Sequence, residues 1–414
     1  MNLNPEAAGF DARRLDRITD HLNRHYIEPG KIAGCQTLVS RHGHPAYFSS
    51  LGLADREEQR PIADDTIFRL FSMTKPVTSV ALMTLHEQGY FQLNDPIHRV
   101  IPEWKDLEVY VSGEGASIET RKPARPMTFR HILSHQSGLT YGNGLQTLAG
   151  LEGLKLHTVD QAYVDAGVGR GGSETLRSFV EKLAHVPLRY DPGDRWMYSY
   201  ATDVCGYLVE AISGKPFDQY LQETMFDPLG MKDTGFFVPP ESTDRFAAAY
   251  GRARDKSLRR LDAPGNRPHL QKPTFFSGGG GLVGTTADYY RFCEMLRRGG
   301  ELDGARILGP RTIDLMRQNH LTGGADLSKM AMGAFSETAY EGIGFGLGFA
   351  MTLDAVESGS MTDGDFYWGG AASTIFWVDA KEDLVVIFMT QLVPSATFNF
   401  RGQLKSIVYS SIVD

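Results

Sequence analysis

Cysteine is scarce in this sequence. Cys35, Cys205 and Cys293 stand far apart and are odd in number, which argues against a disulfide framework or a Cys-based zinc site and for buried free thiols. No window reaches the ~18 unbroken apolar residues that a membrane span requires. The first stretch, MNLNPEAAGFDARRLD, lacks the basic start and apolar core of a signal peptide, so the expected location is the cytoplasm. Basic charge is not in excess. The formal net charge is −8, and Lys and Arg are scattered, which speaks against nucleic acid or acidic membrane surfaces as partners. The densest basic cluster, Arg252 to Arg260, includes Asp255 and reads as a solvated loop. Two catalytic signatures are also missing. The absence of G-x-S-x-G excludes the nucleophile elbow of the α/β-hydrolases. Without H-E-x-x-H, the i, i+4 pairs His21/His25 and His131/His135 have neither a third ligand nor the expected glutamate. They read as surface or capping histidines, and neither a metal nor another cofactor is expected.

What is present is an ordinary globular composition, 42% apolar and 22% charged with 45 glycines, in a chain long enough for two domains or one body with a large insertion. Asp11 caps a helix carrying Leu15, Ile18, Leu22 and Tyr26. Ala33 to Ser40 and Ala46 to Leu51 flank a polar turn at His42-Gly43-His44 and read as a hairpin. A second helix runs from about Met73 to Gln88 and ends at Gly89. From Asp95 to Phe275, Pro/Gly loops alternate with helical segments such as Thr128 to Leu133, Thr175 to Leu183 and Ala201 to Ile212, with little strand periodicity. Beyond Ser277 to Gly281 come a helix at Thr286 to Leu296 and strands at Leu347 to Leu353, Asp365 to Trp368, Ser373 to Val378 and Leu384 to Thr390. The last two are expected to pair antiparallel around the turn Asp379 to Asp383, before a closing helix at Phe400 to Ile412. The expected fold is α+β: an antiparallel sheet flanked by helices, with a mostly helical insertion domain. Residues 1–94 and 276–414 would form the first domain and 95–275 the second, with the active site in the cleft between them.

Ser72-Met73-Thr74-Lys75 is the first chemical candidate. S-x-x-K arises by chance roughly once in a chain of this length, so its setting matters. It sits where the strand-like run Ile67 to Phe71 meets an apolar helix, and Pro76 is tolerated in that first turn. The spacing puts Lys75 on the same helix face as Ser72, one turn along. The hydroxyl would lie at the positive end of the helix dipole, where a desolvated lysine can remove its proton. A serine that only caps the helix beside a solvated lysine explains the tetrapeptide equally well. Tyr198, just before the helix from Ala201, can point its hydroxyl into a cleft or pack as a core aromatic. Gly369-Gly370, at a strand end, either lets a substrate approach the backbone or forms a bulge.

The order of Ser72-x-x-Lys75, then Tyr198-Ser199-Tyr200, then Trp368-Gly369-Gly370 resembles the class C β-lactamase and DD-peptidase superfamily, and most specifically the family VIII carboxylesterases. Ile67 to Phe71, Ile132 to Leu139, Pro192-Gly193-x-x-Trp196-x-Tyr198-Ser199 and Gly278 to Val283 extend the likeness over nearly the whole chain. The resemblance implies that Ser72 is acylated, that Lys75 and Tyr198 handle its proton, and that the backbone N–H groups of Ser72 and Ala371 stabilise the oxyanion. Two departures bear on substrate. Tyr200 stands where the lactamases and peptidases have Asn, and Trp368 stands where they have a lysine or similar cation. Both disfavour anionic peptides and β-lactams and favour small neutral, short-chain acyl esters, with Trp368, Gly369, Gly370, Tyr200 and Tyr141 around the substrate. Transfer of the acyl group to another alcohol, β-lactamase or peptidase activity, and a catalytically silent binding or assembly protein are the alternatives. Oligomeric state stays open.

Overall fold

Leu384–Thr390 reads LVVIFMT, and every one of its positions is buried. A strand that is apolar on both faces must be covered on both, and this one lies inside an eight-stranded sheet. The computed structural model describes residues 1–144, 146, 155–169, 173–253, 255–262, 268–332 and 340–414. The strands are β1 (Gly34–Arg41), β2 (His44–Asp55), β3 (Arg60–Pro61), β4 (Ile343–Phe345), β5 (Ala350–Thr352), β6 (Asp365–Gly369), β7 (Ile375–Asp379) and β8 (Leu384–Thr390). Their spatial order is β4-β5-β6-β7-β8-β1-β2-β3, and every neighbouring pair is antiparallel. The chain ends therefore meet in the middle of the sheet, where β1 pairs with β8. The β1–β2 hairpin closes on His42 and Gly43 with φ of 56° and 76°, the two left-handed residues that a tight hairpin turn needs.

Four helices carry the argument: α1 (Thr74–Glu87), α2 (Ala201–Ser213), α3 (Thr286–Arg297) and α4 (Phe400–Tyr409). Phe376 and Phe388 lie on opposite sheet faces, because Phe376 is opposite Ile387 and Phe388 is opposite Ile375. Phe376 meets Tyr289 of α3 at a ring separation of 5.2 Å, and Phe388 meets Phe400 of α4 at 4.9 Å. One helix therefore covers each face. Lys405 of α4 reaches Asp365 at 2.6 Å, with both side chains buried, and Tyr409 donates to Asp379 at 2.8 Å.

Three sequence expectations need correction. The strand expected at Leu347 to Leu353 is instead the β4–β5 hairpin, Ile343–Phe345 paired with Ala350–Thr352. Its connection includes Gly348 at φ 95°, where an added Cβ would lie 2.3 Å from Ser79 Oγ. The run is interrupted because the backbone must turn left-handed and press against α1. The region from Asp95 to Phe275 also contains two short hairpins, Val109–Ser112 with Glu119–Arg121 and Tyr250–Arg252 with Leu258–Arg260. Strands of three or four residues are too short for alternation to show in sequence. Finally, the Arg252 to Arg260 cluster is solvated only in part: Asp255 to Ser257 and Arg259 are exposed, while the Arg260 side chain is largely buried. Arg260 pairs at 2.9 Å with Asp55, whose side chain is fully buried, in a knot that also receives Glu57.

Cys35, Cys205 and Cys293 are buried free thiols. No helix among the described residues is long and apolar enough to cross a membrane. His131 caps a helix, its Nδ1 accepting from the Thr128 N–H at 3.2 Å. His21 bonds Gln403 at 2.9 Å.

Candidate active site

The strand Ile67–Arg69 pairs antiparallel with Val283–Thr285 and is anchored at its last residue. Arg69 stacks on Phe246, pairs with Asp262 and donates to the Ala247 carbonyl at 2.7 Å. Its own backbone N–H and C=O both bond the Gln391 amide at 3.1 Å. The next turn is forced to be sharp. Phe71 takes a φ of 45°, a region disfavoured for a bulky side chain, and Phe71–Met73 forms a 3₁₀ turn that runs into α1. Ser72 is thus fixed at the N-terminus of a helix whose residues from Thr74 to Leu85 are all buried.

Lys75, one turn along, is 1% exposed. Its Nζ lies 3.3 Å from Ser72 Oγ and donates at 2.6 Å to the carbonyl of Gly279. The same nitrogen sits 4.4 Å from the ring centre of Tyr198 and 5.5 Å from that of Tyr141. The solvated-lysine reading of the tetrapeptide does not fit this burial.

Tyr198 belongs to the segment that leads into α2, and that segment is stitched to residues 135–140. Met197 N–H donates to the His135 carbonyl at 2.9 Å, and Tyr200 N–H to that of Thr140 at 3.2 Å. The His135 ring approaches Ser199 Oγ at 3.3 Å and Thr202 Oγ1 at 3.4 Å. Burial, and then the nearby Lys75 charge, hold this imidazole well below the usual histidine range, so it is a neutral spacer. Trp368 donates its indole N–H to the Tyr198 hydroxyl at 3.4 Å, and its ring packs edge-on to Phe345 at 5.3 Å.

The end of β6 packs beside the Phe71–Met73 turn. An added Cβ on Gly370 would fall 2.4 Å from the Leu70 carbonyl oxygen and 2.3 Å from Thr374 Oγ1. Only glycine lets the strand approach the backbone that carries Ser72, and Ala371, the next residue, is buried there. Gly369 lies against Arg401, whose Nη2 would sit 3.0 Å from an added Cβ.

Tyr200 and Tyr141 come together with ring centres 4.5 Å apart. Tyr141 is 5.3 Å from Tyr198, while Tyr200 turns toward Phe179 and Tyr163. Burial pushes the Tyr200 phenol up. Sequence reasoning passed over Asp203, in the first turn of α2 and 1% exposed. It accepts from Ser277 Oγ at 2.5 Å and from the Gly279 N–H at 3.0 Å. The available signal was a carboxylate in an otherwise apolar helix start.

A family model described as Beta-lactamase matches residues 19–406. An uncharacterized protein of Mycobacterium tuberculosis is 33% identical over 90% of this chain and 88% of its own. Esterase EstB of Burkholderia gladioli is 30% identical over 94% of this chain and 93% of its own. Among solved structures, EstCE1, described as a hydrolase with promiscuous acyltransferase activity, superposes with a TM-score of 0.78. It is 28% identical and covers 96% of this chain and 99% of its own. By the family model and the esterase relatives, the chain belongs to the β-lactamase family as a serine hydrolase with esterase-type chemistry, in the branch of the family VIII carboxylesterases.

Proposed function

We propose that the protein hydrolyses small, neutral, short-chain acyl esters through an acyl-enzyme on Ser72. The observation that carries this reading is Lys75 Nζ at 3.3 Å from Ser72 Oγ and 4.4 Å from the Tyr198 ring, with Lys75 and Tyr198 both buried. Ser72 attacks the ester carbonyl, and its proton passes to the Lys75–Tyr198 pair. Tyr198 returns a proton to the leaving alcohol, and water then releases the acyl group. Proton transfer of this kind contributes about 10²–10⁴-fold in rate. The backbone N–H groups of Ser72 and Ala371 receive the oxyanion, each contributing about 3–4 kcal/mol.

Neutral substrates are favoured because Trp368, an uncharged and buried indole, occupies the position that the related lactamases fill with a cation. A charge-assisted contact of about 1.5–3 kcal/mol to a substrate carboxylate is thereby lost. In this reading residues 1–94 and 276–414 make one domain and 95–275 the other, with the cleft between them, and the enzyme works in the cytoplasm. Acyl transfer to an alcohol is the second reading. It is favoured by the description of EstCE1 as a hydrolase with promiscuous acyltransferase activity.

Hydrolysis of p-nitrophenyl acetate, butyrate and octanoate by wild type and Ser72→Ala tests the proposal. Turnover by wild type and background rates for the variant are expected. Equal rates for the two proteins would remove Ser72 from the mechanism.

A further inference from the structure

Lys75 is held from one side by the main chain of Gly279, and that residue is itself clamped by a buried acid. Asp203 Oδ1 accepts from the Gly279 N–H at 3.0 Å and from Ser277 Oγ at 2.5 Å. The Gly279 carbonyl accepts from Lys75 Nζ at 2.6 Å. The carboxylate lies flat against the glycine, since an added Cβ would sit 2.4 Å from Asp203 Oδ2. Next to it, a Cβ on Gly278 would sit 2.6 Å from the Thr202 carbonyl. Gly278 and Gly279 therefore serve close packing against the start of α2, not chain flexibility. A buried carboxylate without a charge partner is expensive, and this one faces the buried Lys75 nitrogen across a single residue.

We propose that Asp203 is a positioning residue, one that sets both the place and the charge of Lys75 through Gly279. The inference rests on the Ser72–Lys75 reading above. The hydrogen bonds from Ser277 and Gly279 fix the carboxylate, the carboxylate fixes the Gly279 carbonyl, and the carbonyl aims Nζ at Ser72 Oγ. The negative charge also stabilises the ammonium that forms when Lys75 takes up a proton. Burial raises the Asp203 carboxyl, while Lys75, Ser277 and Gly279 oppose that rise. The other titratable groups around the pair are Tyr200 and Cys205, which feel the Asp203 charge, and His135, Tyr198 and Tyr141 around Lys75. Burial raises the Tyr200 phenol and the Cys205 thiol and lowers the His135 imidazole, which favours their neutral forms, so Asp203 supplies a negative charge close to Lys75.

Asp203→Asn tests this, because the amide keeps the volume and one acceptor oxygen but drops the charge. On p-nitrophenyl butyrate, kcat is expected to fall about 10–100-fold with KM changed less than twofold. The acid limb of the kcat/KM profile is expected to move down by about half a pH unit or more, because a lysine without its counter-charge loses its proton more readily. An Asp203 that only supported the fold would leave the position of that limb unchanged. Wild-type kcat with an unmoved limb, in a variant that melts with wild type, overturns the proposal. Should Asp203→Asn fail to fold, Ser277→Ala frees the carboxylate while keeping its charge. A threefold or larger loss in kcat is then expected, and an unchanged kcat overturns the idea. Ser72→Ala in the same assay separates the two levels. If Ser72→Ala is silent while the Asp203 and Ser277 variants are normal, only the positioning role fails; if Ser72→Ala is active, the serine reading itself fails.

Discussion

The indole N–H of Trp368 donates to the hydroxyl of Tyr198 across 3.4 Å, joining the end of β6 to the segment that leads into α2. The contact fixes where the phenol oxygen of Tyr198 lies relative to the end of that strand. A donor to the phenol oxygen also leaves its proton free to point toward the reacting groups.

Replacing Trp368 by Phe keeps an aromatic wall and removes the donor. A hydrogen bond of this kind contributes about 1 kcal/mol, which corresponds to roughly a fivefold change in a rate or equilibrium. The expected result for Trp368→Phe is a three- to tenfold lower kcat/KM on p-nitrophenyl butyrate, carried mainly by kcat. Activity equal to wild type would show that the indole is only a wall.

Much of the site was legible in the sequence, and the reason is spacing. Ser72 and Lys75 share a helix face at i, i+3 whatever the rest of the fold does. Gly370 had to be glycine for a local reason, the approach of Leu70 and Thr374. The sheet strands β7 and β8 were legible because both are apolar runs bounded by an obvious turn. Asp203 was not legible, because its meaning comes from Gly279, far along the chain, and no local pattern connects them. The β4–β5 hairpin was hidden for a similar reason. Gly348 turns there because Ser79 of α1 leaves it no room, and a glycine among apolar residues reads as continuous strand. The short hairpins of the central region carry too few residues to display a period.

Tyr200 is the side chain to change if acyl length is set by aromatic crowding. Its ring stands 4.5 Å from Tyr141 and 5.3 Å from Phe179, and Tyr141 in turn flanks Tyr198. Truncation in Tyr200→Ala opens space beside Tyr141, the neighbour of Tyr198. The octanoate-to-acetate ratio of kcat/KM is expected to rise at least about fivefold, since each buried methylene gained is worth about 0.8 kcal/mol. Loss of the partly buried ring is expected to destabilise the fold by no more than about 3 kcal/mol, measured by urea unfolding. A chain-length profile identical to wild type would place the acyl pocket elsewhere.

His131 makes the fold sensitive to mild acid. Its Nδ1 accepts the Thr128 N–H at 3.2 Å, and Gly193 packs over the ring, an added Cβ there lying 3.0 Å from Nε2. Burial first, then the charges of Arg125 and Arg130, push the imidazole down from 6.5 to about 4. His269 is pushed down to about 4 by burial and Arg69. Between pH 6.5 and about 4 the unfolded chain takes up protons at these positions and the folded chain does not. Their contribution to stability is therefore complete above 6.5 and is lost as pH falls toward 4, at up to about 1.4 kcal/mol per pH unit for each histidine. In His131→Gln the side-chain carbonyl can still cap Thr128 but cannot titrate. Urea unfolding at pH 7, 6 and 5 should give a shallower loss of stability for this variant than for wild type, by about 1 kcal/mol per pH unit. Carboxylates titrate alike in both proteins and cancel in the comparison, so parallel slopes would mean that His131 accepts its proton in the folded state.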